Sequence, residues 1–170
     1  MSSHFQFEQW VPFPLEEVFL FFANPKNLPR IMPPATGTRL EELRLVPPPE
    51  HATANAQSLA GVGSEIVTSF RLFLFPFLPL RARWIALITE FEWNHHFADV
   101  QKTGPFKRFR HHHELTAETR NGVSGTTVRD VIEYEVGFGF LGRVADQIVV
   151  DGQFRRTFAY RHAALAKLLG

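Results

Sequence analysis

Two histidines stand two residues apart in segment 106–118, and an aspartate and a tyrosine stand four apart in segment 123–136. Successive side chains of an extended chain point to opposite faces. Phe109, His111, His113 and Leu115 therefore share one face, and Arg108, Arg110, His112 and Glu114 share the other. The second set belongs in water; Phe109 and Leu115 belong in a core and carry His111 and His113 inward with them. In the next segment Val128, Asp130, Ile132 and Tyr134 share a face, opposed by Arg129, Val131, Glu133 and Glu135, so Asp130 and Tyr134 also turn inward. Asn121-Gly122 is a hairpin signal that joins the two strands and puts all four polar groups on one concave surface. A histidine with an acidic partner can move a proton, and a tyrosine hydroxyl can donate to an enolate oxygen. His111, His113, Asp130 and Tyr134 are thus the candidate catalytic groups, for chemistry such as aldol cyclisation or dehydration. The same groups are equally suited to a satisfied network that ties a helix to a sheet.

His111 and His113 on one strand face, with Asp130 as a third ligand, could serve zinc or another divalent ion. Two histidines are a weak signal, and we assign no metal and no cofactor. The HHH run 111–113 and the His95-His96 pair look like metal clusters on paper, but strand alternation splits each across two faces. Asp99 and Gln101 share a face with Phe97, while Ala98 and Val100 offer an equally apolar one, so the inward side of that strand stays open. Lys107, Arg108 and Arg110 surround Phe109, yet the formal net charge is only +1, and these cations read as a solvated face rather than a nucleic-acid surface.

The element that must cover this concave face is segment 140–169, the only long stretch with apolar residues at helical spacing and no proline. With residues about 100° apart, Leu141, Val144, Ala145, Ile148, Gly152, Ala159, Ala166 and Leu169 gather on one face, with Phe158 and Leu165 along its edge. Arg143, Asp146, Gln153, Thr157 and Arg161 project the other way. Arg155 and His162 break the pattern by pointing with the apolar stripe, which predicts them in the roof of a cavity. A buried charge needs compensation, so Asp130 and Arg155 are expected to pair, directly or through a histidine. A helix of this length would run on the order of 45 Å, and a bend near Asp151-Gly152 is expected.

Earlier in the chain, residues 4–11 alternate as a strand that Pro12 and Pro14 end. A helix follows from Pro14 to Asn24, with Glu16 and Glu17 at its positive end and Val18, Phe19 and Phe22 inward. A second short helix at 27–32 is expected to be capped by Asn27. Strand-like alternation then marks 38–46, 62–73, 81–93 and 95–102 ahead of the hairpin already described. FLFPFLPL, residues 73–80, is nearly all apolar, yet its two prolines exclude a central strand. It reads as a loop over the core, a lid at a pocket mouth, or a surface for a partner, including a second copy in a homodimer.

With 170 residues the chain fits one domain spanning 1–170. Eighteen phenylalanines against two tyrosines favour a core or an apolar cavity wall, and the absence of cysteine excludes disulfides and thiolate chemistry. The start MSSHFQFEQW has no signal-peptide pattern, and no apolar run approaches the roughly 20 residues of a membrane span. A cytoplasmic location is expected.

Three stretches, FEQWVPFPLEEVFLFFANPKNLPRIMPP, ITEFEWNHHFADVQKTGPFKRFRHHHEL and VIEYEVGFGFLGRVADQIVVDGQFRRTFAYRHAALAKLL, resemble the START-like, SRPBCC superfamily, including its polyketide cyclase/dehydrase group and its uncharacterised bacterial members. The resemblance implies an α+β helix-grip fold: a curved seven-stranded antiparallel sheet, two short N-terminal helices, and one long C-terminal helix enclosing a cavity. It implies binding or transport of a small hydrophobic ligand, such as a lipid, polyketide or aromatic compound; fold alone does not fix the activity. The predicted apolar lining is Phe70, Phe109, Leu115, Ile132, Ile148 and Phe158, and the predicted polar lining is His111, His113, Asp130, Tyr134, Arg155 and His162.

Overall fold

The computed structural model describes residues 2–48, 56–71, 81–137 and 150–170. Its elements are β1 (Ser3–Val11), α1 (Leu15–Ala23), β2 (Arg39–Arg44), β3 (Glu65–Arg71), β4 (Arg81–Glu92), β5 (His96–Thr103), β6 (Arg108–Arg120), β7 (Val123–Glu135) and α2 (Asp151–Leu169). The strands form one antiparallel seven-stranded sheet in the order β1-β7-β6-β5-β4-β3-β2. It is the helix-grip arrangement: the curved sheet carries α1 on β6 and β7, and α2 lies against β1 and the 3-10 segment Pro25–Ile31.

Local chemistry accounts for the boundaries. Pro14 supplies the first helical acceptor of α1, its carbonyl taking the Val18 N–H at 3.1 Å, and Glu16 and Glu17 occupy the positive first turn. The 3-10 segment starts two residues before the expected short helix, and its cap is Asn24, whose side chain accepts from the Lys26 N–H at 3.1 Å. Asn27 acts differently: its amide donates to the Phe21 carbonyl at 2.9 Å and locks α1 to the segment that follows.

The β6–β7 hairpin turns on Asn121 and Gly122, with φ of 51° and 78°, the pair of left-handed residues that a two-residue turn needs. A Cβ at Gly122 would meet nothing within 4 Å, so only its backbone angle opposes substitution. Gly122→Ala should therefore cost about 1 kcal/mol in chemical denaturation. A neutral result would mean that the turn relaxes freely.

Apolar side chains gather in three clusters. The first joins Val18, Phe19, Phe97, Leu115, Val128 and Leu165. Phe5, Ile132, Tyr134 and Phe158 form the second, and Ala60, Ile66, Ala86 and Ile88 the third. Among the described residues no helix is long and apolar enough to cross a membrane. The FLFPFLPL segment and residues 138–149, with the first third of the expected C-terminal helix, lie outside the described residues.

Candidate functional site

Register brings the inward groups together. Across β6 and β7, His113 pairs with Asp130, His111 with Ile132 and Phe109 with Tyr134. On the other side of β6, Phe97 pairs with His113 and Asp99 with His111. Directly paired residues share a sheet face, so Phe97 and Asp99 must face inward with the histidines. This settles the strand whose own alternation was ambiguous.

Asp130 is 2% exposed, and its Oδ1 accepts the Nε2–H of His111 at 2.8 Å. His113 Nδ1 stands 2.6 Å from the same oxygen but off the axis of a hydrogen bond, and it has no aligned partner among the described residues. The His113 ring stacks on Phe97 with centroids 4.3 Å apart and lies 3.9 Å from the His111 ring. Burial lowers the His111 pKa to about 4, helped by His113 and resisted by Asp130 and Asp99. Burial also lowers His113, against the pull of Asp130. It would raise Asp130, but His113, Arg161 and the hydrogen bond from His111 outweigh it and hold this carboxyl well below its ordinary range. For Asp99 burial outweighs the pull of His111 and Arg161, and its pKa is raised. The cluster at neutral pH is therefore a carboxylate between two neutral imidazoles.

The cation above it is Arg161 rather than Arg155 or His162. The Arg155 side chain is 72% exposed and pairs with Asp151 at 2.8 Å, and His162 is exposed. Arg161, expected in water, is buried with Phe158 and Leu165. The error was one of phase. The expected stripe was drawn continuously from Leu141, whereas the inward face of α2 runs through Phe154, Phe158, Arg161, Leu165 and Leu168, rotated by roughly a third of a turn. Spacings of four, three, four and three residues centre that face on Arg161 and were legible within α2 alone. Arg161 also fills the role assigned to Arg155, since Asp130 and Asp99 both act on it electrostatically.

A cavity of about 80 Å³ opens between α1, the 3-10 segment, β3–β6 and α2. Phe21, Phe22, Ile31, Ala60, Ile66, Ile88 and Phe97 supply apolar wall, and Asp99, His113 and Arg161 supply the polar groups. Of the predicted lining residues that lie among the described ones, only His113 borders it. His111 and Asp130 sit directly behind. Leu115 and Ile132 are buried in the first and second clusters. Phe70 packs on Trp84 at 6.1 Å, and Phe109 meets Trp84 edge-on at 4.6 Å. Phe158 closes on His111 at 5.9 Å. Tyr134 is buried against Phe106 and Phe154, away from the cavity, so the four candidate catalytic groups do not form one constellation. Ile148 lies outside the described residues.

Asp99, His111 and His113 place one potential ligand atom each within 4.8 Å of one another, a set that could hold a divalent ion with Asp99 in the place assigned to Asp130. On the outer face, Glu90, His96 and His112 form a similar group, as do Glu92, His95 and His96. His95 belongs to the turn before β5, so alternation does not separate it from His96, and their Nδ1 atoms lie 2.9 Å apart. That corrects the expectation for this pair. The HHH run does split, with His112 outward.

No curated protein matches the chain in sequence. Among solved structures, ginseng major latex-like protein 151 from Panax ginseng superposes with a TM-score of 0.64 at 11% identity, covering 99% of this chain and 98% of that one. Norcoclaurine synthase from Thalictrum flavum gives 0.62 at 16% identity, covering 99% and 87%. A START superfamily protein from Mycobacterium smegmatis gives 0.61 at 11% identity, covering 98% and 96%. These likenesses establish the START/SRPBCC helix-grip fold. Residues 41–169 match the family model described as Domain of unknown function (DUF8410), and the chain belongs to that family.

Proposed function

We propose that the protein binds a small hydrophobic ligand in the cavity beneath α2. The observation that carries this reading is the make-up of the cavity, an apolar wall with three polar groups at one side; its volume of about 80 Å³, small beside the roughly 300 to 1,000 Å³ of drug-sized sites, matches a compact molecule. A cavity whose polar groups converge while its walls stay apolar suits a ligand with one polar end.

Native mass spectrometry of freshly purified protein should detect a bound apolar molecule, or uptake of added 1-hexanol. Ala60→Phe, which fills the space from one wall, should abolish uptake while the far-UV spectrum is retained. A wild-type protein that repeatedly carries nothing and takes up nothing would reject the reading.

A second reading, proton-transfer chemistry of the cyclase or dehydratase type, is favoured by the 2.8 Å His111–Asp130 contact behind the cavity. His113 would be the group that meets substrate, with the Asp130 charge 2.6 Å from its Nδ1 and the Phe97 ring stacked on it; Tyr134 would take no part. In that case His113→Gln would abolish turnover while leaving ligand uptake intact.

A further inference from the structure

Arg161 is 8% exposed and lines the cavity. Its guanidinium carbon stands 4.8 Å from the centre of the Phe158 ring and 5.7 Å from that of Phe22. Two aromatic faces hold the guanidinium plane and favour its charge, but they accept none of its N–H groups. Among the described residues it makes no hydrogen bond and no ion pair within 4.0 Å. Asp99 and Asp130 attract it only from beyond that distance. A largely buried cation whose N–H groups have no direct acceptor in the protein can gain one from a ligand, and the arginine fork matches the two oxygens of a carboxylate.

Resting on the cavity-binding reading, we propose that the ligand is an apolar monocarboxylate, with its two oxygens on the Arg161 guanidinium and its hydrocarbon part against Ile66, Ile88 and Phe97. The charges around the site favour a single negative charge. Asp130 on β7 is ionised and already offsets Arg161 on α2, His111 and His113 on β6 are neutral, and Asp99 on β5 is inclined by burial to keep its proton. Either imidazole can take up the proton that restores neutrality when the carboxylate enters. A phosphate dianion would leave an uncompensated charge in the same space. A divalent cation on Asp99, His111 and His113 would face the Arg161 charge.

The test compares butyrate and hexanoate with 1-butanol and 1-hexanol, with inorganic phosphate as a further arm, titrated into the full chain and followed by NMR shifts. Each acid should bind at least about tenfold more tightly than its alcohol, and phosphate should not compete. Arg161→Met keeps the stem between the two rings and should remove the acid preference while sparing the alcohols. Arg161→Lys, a second variant against misfolding, should keep part of it. Equal affinity of acid and alcohol in the wild type would overturn the proposal and leave the cavity reading intact. So would an acid preference that survives in folded Arg161→Met, or a phosphate that binds as well as the acids. Binding of none of the probes would overturn both.

Discussion

Phe158→Ala should lower the unfolding free energy by about 3 to 5 kcal/mol in urea denaturation, whereas Arg155→Ala should change it by less than about 1 kcal/mol. Phe158 is 3% exposed, and its ring lies 5.4 Å from Phe5 and from Phe7 on β1. It also meets His111 edge-on and supports the Arg161 guanidinium. Truncation removes two of the ring contacts by which α2 sits on β1, leaving that of Phe154 on Phe5, and opens space beside the polar cluster. Arg155 is exposed, pairs with its helical neighbour Asp151 and lies 5.8 Å from the centre of the Phe5 ring, exposed contacts worth together less than about 1 kcal/mol. In a domain of this size the Phe158 loss corresponds to a melting-point drop of at least about 6 °C. Comparable losses for the two variants would mean that α2 presents the face first drawn from Leu141, and the Arg161 assignment would fall with it.

The contrast between those residues shows what was legible in the sequence. Strand alternation needs only the period of two and a few unambiguous anchors. Phe109 and Leu115 supply them, and they put His111, His113 and Asp130 on the buried face that these residues occupy in the structure. The Asn121-Gly122 turn fixed the β6–β7 register from local chemistry alone. Helical phase is less forgiving, because an error accumulates across any interruption and a segment joined wrongly at one end is rotated throughout. Asp99 was hidden for another reason. Its strand has apolar residues on both faces, and only pairing with β6 distinguishes them. Likewise, the α1 side of the cavity could not be read from β6 and β7, since it depends on how α1 and the 3-10 segment fold back over the sheet.

Asp130→Ala should be the most destabilising change in the polar cluster, about 3 to 5 kcal/mol at pH 7. It strands the His111 Nε2–H, removes the charge beside His113, and takes from Arg161 the stronger of the two carboxylates that act on it. The pH profile separates this charge from the imidazoles. The folded pKa of His111, about 4, lies below the ordinary value of 6.5, so between these limits the unfolded chain binds a proton that the folded protein does not. Wild-type stability should therefore fall on acidification from about pH 6.5 towards pH 4, by up to about 1.4 kcal/mol per pH unit for each such histidine. Asp130 acts in the same direction at lower pH: its folded pKa is depressed, so its contribution is intact above the ordinary carboxylate range and is lost only as the pH falls further. Asp130→Asn keeps an acceptor for His111 but removes the charge that favours imidazolium. Its stability should be lower throughout, and its acid decline should extend to lower pH than in the wild type. A wild-type profile that stays flat from pH 6.5 to 4.5 would put a proton on the histidine pair in the folded state. The cavity would then carry a positive charge before any ligand arrived, and the preference for an anion would no longer rest on Arg161 alone.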